Sequence, residues 1–296
     1  MTAPSYDVDV DWQLTHDLDG FMGRAGDFLR ADPVLHTVLL TVTESLRGRG
    51  LHIYGAGDPL FGTLAVRGEV AGAFFWTPPF PVQLTSVPAE AAAALAERLA
   101  DRTADVPGVA ADPATADAFV TAWQKRTGAV PSVGLRQRLY RLDKLTPPEP
   151  APPGRARVAG AQDRELLKRW HTEFSEAVGD GPGTDAGEWA DSRIAYGGVT
   201  LWETPDGTPV SMAGATRRIA GMVRVAPVYT PRELRGRGYA GAATAEVSRA
   251  ALAAGVDEVL LFTDLANPTS NALYQRIGYR PVQDSTVCLF TATAAA

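Results

Sequence analysis

The spacing of apolar positions divides the chain into strand-like and helix-like stretches. In the first half, Asp32-Pro33 forms an N-cap and N1 pair that predicts a helix to about Leu46, and LHIYGA reads as a short strand. The run LFGTLAVRGEVAGAFFWTP predicts a hairpin turning at Arg67-Gly68-Glu69. Pro88 to Ala104 is an alanine-rich helical pattern, Asp112-Pro113 caps another helix that ends near Gly128, and VGLRQRLYRL alternates like a closing strand. The second half repeats this order. RARVA reads as a strand, Asp163 to Val178 and Asp185 to Ile194 as helices, and VTLWE and PVSMAGATR as strands. GMVRVAPVYT predicts a further strand, after which Ala240, Ala243, Val247, Ala251 and Ala254 share one helical face, with Gly255 as an αL stop. VLLFT, a helix from Pro268 to Ile277 and a strand near STVCLF complete the pattern.

Between the halves lies TPPEPAPPG, whose prolines favour an extended, semi-rigid spacer. The expected domains are therefore 1–145 and 155–296, joined by a linker at 146–154. A chain of 296 residues, 45% apolar, is long enough for two such cores.

Composition narrows the function classes. A formal charge of −6 argues against general nucleic-acid binding. No apolar run reaches membrane-spanning length, and the acidic start MTAPSYDVDVDW does not read as a signal sequence, so the cytoplasm is the expected compartment. The single cysteine, Cys288, excludes a disulfide framework and a cysteine-rich metal site. His171 has no ligand spacing around it, so no metal is expected.

The chemistry concentrates at Arg235-Gly236-Arg237-Gly238, where a strand gives way to a helix. The first turn of a helix has backbone N–H groups with no intrahelical partner and the positive end of the dipole, which together suit a diphosphate. Flanking arginines add charge and bidentate donors. A P-loop is excluded because no GK[ST] follows. Gly236-x-Gly238-x-x-Gly241 satisfies the dinucleotide fingerprint literally, with Asp264 ending the next strand, but residues 265–296 are too few for the rest of a doubly wound sheet. An oxidoreductase is the weaker alternative. Arg47-Gly48-Arg49-Gly50 repeats the letters but ends a helix, where the dipole is negative, and reads as a C-terminal stop.

The run VYTPRELRGRGYAGA, followed by LFTDLANPTSNALYQRIGYRPVQD, resembles the GNAT acyltransferase superfamily, whose acyl-CoA loop follows R/Q-x-x-G-x-G/A. Arg235-x-x-Gly238-x-Ala240 fits that loop, and Asn267 and Tyr274 match the family's cofactor-facing Asn and Tyr. The resemblance implies an α/β (α+β, mixed-sheet) fold in two tandem GNAT-like domains, the first a degenerate copy. It implies acetyl-CoA as the acyl donor and a small-molecule or peptide amine as the acceptor, attacked directly in a ternary complex. Val228, Tyr229, Thr230, Arg235, Gly236, Arg237, Gly238, Tyr239, Ala240 and Asn267 would bind the cofactor. Val228 and Leu261 would flank the pantetheine arm, and Tyr274 would protonate the leaving thiolate, in which case Tyr274→Phe lowers kcat by about 10²–10⁴-fold.

Each of these residues also has a plainer role open to it. Asn267 precedes Pro268 and so is an obvious N-cap, Tyr274 suits core packing, and Tyr239 packs more readily than it reacts. The strand GMVRVAPVYT carries no carboxylate, which leaves Glu203, Glu173, Glu176 or a water as the general base, with His171, Glu173 and Glu176 bordering the acceptor side. A non-catalytic acyl-CoA sensor or scaffold is the alternative from another class.

Overall fold

The computed structural model describes residues 11–103, 105–178 and 185–291. The start of the chain, on which the reading of a missing signal sequence rests, falls largely outside them. In chain order the elements are β1 (Asp11–Thr15), α1 (Leu18–Ala31), α2 (Thr37–Arg49), β2 (Leu60–Val66), β3 (Glu69–Trp76), β4 (Val82–Leu84), α3 (Ala89–Ala100), β5 (Gly108–Ala111), α4 (Pro113–Thr127) and β6 (Val130–Leu142). The series then repeats as β7 (Arg155–Val158), α5 (Arg164–Val178), α6 (Ala186–Ile194), β8 (Val199–Glu203), β9 (Pro209–Ala215), β10 (Met222–Tyr229), α7 (Tyr239–Ala253), β11 (Glu258–Asp264), α8 (Pro268–Arg276) and β12 (Tyr279–Thr291). The two series match element for element, so the repeat is present, although the apolar pattern anticipates none of β1, α1, β4 and β5.

The chain forms two compact units, Met1–Arg136 with Asp284–Ala296, and Gln137–Gln283. In the first, the sheet runs β1-β2-β3-β4-β5 and is completed by the end of β12, where Thr286 to Leu289 lie antiparallel to Ala111 to Gly108. The β2–β3 hairpin turns at Arg67 and Gly68, both at positive φ, the turn whose twist suits a tight hairpin. Trp12, Phe74, Phe119 and Trp123 fill the core, with the Trp12 indole N–H donating to the Ala91 carbonyl at 2.9 Å. The α4 helix has the expected Asp112 cap and an αL Gly128.

Two expectations for this unit fail. The helix assigned to Asp32-Pro33 starts at Thr37, because Asp32 ends α1 and makes a turn: its carboxylate accepts from Leu35 N at 3.1 Å and its carbonyl from His36 N at 3.1 Å. LHIYGA is a turn and not a strand. Gly55 lies so close to Pro78 that a Cβ would come within 2.2 Å of its carbonyl oxygen, which pins the segment to the following loop.

The second unit's sheet runs β6-β11-β10-β9-β8-β7, with Gln137 to Arg141 of β6 antiparallel to Asp264 to Leu260. The β10–β11 pair is parallel and its other pairings are antiparallel, so it is a mixed sheet and not the doubly wound sheet that a dinucleotide site requires. Two layers cover it. One buries Val225, Leu261, Tyr239, Ala243 and Tyr274. The other buries Leu167, Trp170, Trp189, Met212 and Tyr229.

The compact units divide elsewhere than at the proline-rich stretch. Each unit takes its last strand from the other repeat, so the divisions fall inside β6 and β12. Residues 146–154 belong to the second unit and are packed within it: Thr146 N donates to Ile277 O at 3.0 Å, and the Trp202 indole donates to Pro153 O at 3.3 Å. Proline removes backbone donors and so bars a ladder, but an extended proline segment can still lie against a folded surface.

Candidate acyl-CoA site

The site begins where two parallel strands part. Met222, Val223 and Arg224 pair with Glu258, Val259 and Leu260, and the pairing stops there, although β10 runs on to Tyr229 and β11 to Asp264. Beyond that point β10 follows β9, with Val228 opposite Ala213, while β11 stays with β6. The cause lies in the sequence: Pro227 cannot donate to a ladder, and the register of β10 on β9 shifts between Val225 and Val228. Val228 therefore stands at the opening between the strands, partly buried against the cluster that holds Leu261 and Tyr274. Both strands are ordinary in apolar pattern, and only the proline marks the break.

After β10 the chain makes a short 3₁₀ turn at Arg232–Leu234 and then the glycine loop. Gly236 and Gly238 have φ of +77° and +84°, a region that costs a side chain strain, and the space beside them is open. A Cβ at Gly236 would meet nothing within 4 Å, and at Gly238 only Pro152 at 3.8–3.9 Å. Gly238 is the N-cap residue of α7 and supplies no side-chain cap. The N–H groups of Tyr239, Ala240 and Gly241 thus have neither an intrahelical acceptor nor, among the described residues, a backbone partner outside the helix. Gly241, the third glycine of the fingerprint, has a different role, for a Cβ there would lie 2.9 Å from Leu273 Cδ1 of α8.

The arginines divide in function. Arg235 Nε donates to Thr230 O at 3.0 Å, tying the loop to the strand end, while Arg237 Nη2 reaches Glu233 O at 3.3 Å. Both remain exposed, with further N–H donors facing solvent. Thr230 is buried, and its hydroxyl lies 2.9 Å from that of Ser211, which also donates to Tyr229 O at 3.0 Å. Ser211 was not singled out from sequence, since nothing local links it to a loop 19 residues on. Tyr239 is buried in the core and Ala240 is half-buried, so Tyr239 packs as expected.

The two residues proposed from the next strand–helix unit separate. Asn267 caps α8, its side-chain oxygen accepting from Ser270 N at 3.0 Å, and no described contact ties it to the glycine loop. Tyr274 shares the buried cluster with Tyr239, Val225 and Leu261, its ring 6.1 Å from that of Tyr279 in an edge-on arrangement. Burial alone pushes its phenol up to about 12. Its hydroxyl has no hydrogen-bond partner among the described residues.

On the other face, the candidate bases sort themselves. Glu203 is buried and held by Arg157 Nε at 2.5 Å and Arg155 Nε at 3.7 Å, while Arg157 also grips both oxygens of Asp163 at 2.6 and 2.7 Å. That hydrogen bonding keeps the Asp163 carboxyl below its ordinary range. Glu203 is a member of a buried ion network, its carboxylate oxygens committed to Arg157 and Arg155. Glu176 is exposed on α5. Glu173, on the same helix, accepts a 2.8 Å hydrogen bond from the hydroxyl of Tyr229, the last residue of β10. Burial and this carboxylate together push the Tyr229 phenol up to about 12. His171 stacks on Trp189 with ring centroids 4.3 Å apart, and burial with the nearby Arg193 lowers its pKa.

Residues 164–279 match the model of the Acetyltransferase (GNAT) family. The chain has no match among curated proteins. Among solved structures it is similar to a GCN5-related N-acetyltransferase from Sphaerobacter thermophilus, at 19% identity and a TM-score of 0.60, with 99% of each chain covered. It also resembles a GNAT-family acetyltransferase from Colwellia psychrerythraea at 12% identity and a TM-score of 0.58, covering 96% of this chain and 100% of that one. A tandem GNAT protein from the clavulanic acid biosynthesis pathway aligns over 97% of this chain and 100% of its own at 13% identity and a TM-score of 0.57. These likenesses show the fold, two GNAT-like domains in tandem, and the family match covers residues 164–279 of the second repeat.

Proposed function

We propose that the second unit is an acyl-CoA-dependent N-acyltransferase, most simply using acetyl-CoA, that acylates a primary amine by direct attack in a ternary complex. The observation that carries this reading is the open glycine cradle at a helix N-terminus beneath parted strands. The cradle suits the group: Gly236 and Gly238 leave room for close approach of a diphosphate, and the first-turn N–H groups of α7 point donors at it. Arg235 and Arg237 add positive charge there. When bound, the co-substrate supplies an activated thioester. Val228 and Leu261 border the opening that receives its arm, and backbone groups of Val228 to Thr230 hold the carbonyl in place.

Tyr274 has a narrower role than outright proton transfer. Burial holds its phenol up at about 12, above a thiol of ordinary pKa, so full transfer of its proton to the thiolate runs uphill. It stays protonated at neutral pH and donates a hydrogen bond to the sulfur as charge develops. Asn267 caps α8 through its side-chain oxygen and keeps its proposed place among the cofactor contacts.

The test is calorimetric titration with acetyl-CoA followed by thiol release over an amine panel. Micromolar binding with turnover on at least one amine is expected. Tight binding with no turnover on any amine would favour the sensor, and absence of binding would remove the reading altogether.

A further inference from the structure

We propose that Tyr229 and Glu173 form the proton-accepting pair for the acceptor amine, replacing the carboxylate that strand β10 itself lacks. The inference rests on the N-acyltransferase reading. Tyr229 is the last residue of β10, two residues past the bulge at Ala226 and Pro227, and its side chain lies on the face covered by α5 and α6. Its hydroxyl is committed to one partner, Glu173 Oε2 at 2.8 Å, and its ring packs at 6.2 Å from Trp170. Glu173 comes from a helix 56 residues earlier in the chain, which is why the strand sequence alone gives no sign of a base.

The pair has the two properties a relay needs. Tyr229 is 9% exposed and hydrogen-bonded to Glu173, so its oxygen sits in a fixed position on the α5 and α6 side of the strand end, across the sheet from the layer that holds Leu261 and Tyr274. The Glu173 side chain is 38% exposed, so a proton delivered to it leaves to water. The charged groups around the pair are few. Arg169 Nε is 3.9 Å from the other Glu173 oxygen, and Arg235 and Glu233 of the glycine loop act on Tyr229 with opposite sign. Neither Glu203, clamped by Arg157, nor the solvated Glu176 offers a comparable arrangement.

The step balances as follows. An ammonium acceptor gives one proton to the Tyr229 oxygen as the tyrosine's own proton passes to Glu173 and then to water. The freed lone pair forms the N–C bond to the acyl carbon, and the C–S bond breaks with its electron pair going to sulfur. The second proton lost by nitrogen ends on sulfur, leaving an amide and a thiol.

Glu173→Gln and Tyr229→Phe keep the size of each side chain and remove the relay. Each is expected to lower kcat on the best amine of the panel by about 100-fold, with acetyl-CoA Kd unchanged and Glu173→Asp retaining part of the rate. A merely structural role would not alter the pH profile, so that profile decides the matter. In Glu173→Gln the rate should climb with pH toward the pKa of the amine itself, because only the free amine then reacts. Wild-type-like kcat and pH profile in both variants would overturn the relay while leaving the acyltransferase reading in place. A wild-type enzyme that binds acetyl-CoA but acylates no amine would overturn both.

Discussion

The same junction occurs twice in this molecule, once shut and once open. In the first unit β4 is 3 residues long and its Val82 and Gln83 pair in register with Val109 and Ala110 of β5, so the parallel strands stay together. The connection to α3 is short, and Thr115 at the start of α4 clamps it, accepting from Val87 N and donating to Val87 O, both at 3.1 Å. The Val87 side chain lies over Gly72, where a Cβ would come within 2.4 Å of Val87 Cγ1. In the second unit the strands part after Arg224 and Leu260, a longer loop intervenes, and its two positive-φ glycines face open space. One element order thus gives a sealed core or an open junction. What decides is a handful of residues at one turn: Val87 and Thr115 in the first copy, Pro227, Gly236 and Gly238 in the second.

The comparison is broken most severely at Gly238. Gly238→Val forces a β-branched residue into φ near +84° and covers the first-turn N–H groups. Loss of two charge-assisted hydrogen bonds, each worth about 1.5–3 kcal/mol, weakens acetyl-CoA binding by at least about 100-fold in a calorimetric titration. The fold survives, because the space beside Gly238 is open. Undiminished affinity in a folded variant would show that this loop is not the diphosphate site.

A smaller effect is expected from Tyr274→Phe. One hydrogen bond to a developing thiolate is worth about 1.5–3 kcal/mol, so kcat should fall about 10–100-fold with acetyl-CoA Kd unchanged. This is less than full proton transfer would give, and the buried phenol is the reason. Steady-state kinetics with a saturating amine checks it; unchanged kcat would reduce Tyr274 to a core residue.

How far these features could be read in advance follows from how local they are. The hairpin at Arg67-Gly68, the Asp112 cap, the αL Gly255 and the glycine loop are each specified within a few residues, and the sequence reading anticipated them. The boundary was placed at the prolines because composition signals chain stiffness, whereas the units divide where strands are exchanged, and pairing partners leave no trace in composition. Asn267 matches a motif position and also precedes Pro268, and the cap that this spacing describes is present. The break in β10 had a signal that went unused, a proline inside a strand pattern. The Tyr229–Glu173 contact had none, since its partners are 56 residues apart.

The mildest perturbation sharpens the comparison from its closed side. Thr115→Ala removes both hydrogen bonds to Val87 and should cost about 1–3 kcal/mol of stability, seen as a lower Tm, with no change in acetyl-CoA affinity or in the number of sites. A change in cofactor binding would mean that the first unit takes part in it.

Counting acetyl-CoA equivalents per chain at saturation addresses the difference between the two junctions most directly. Isothermal titration should give one equivalent, with protection from hydrogen exchange on binding confined to residues 228–241. Two equivalents, or protection around Val87 and the start of α3, would contradict the account, because the junction sealed by Val87 and Thr115 would then also be a site.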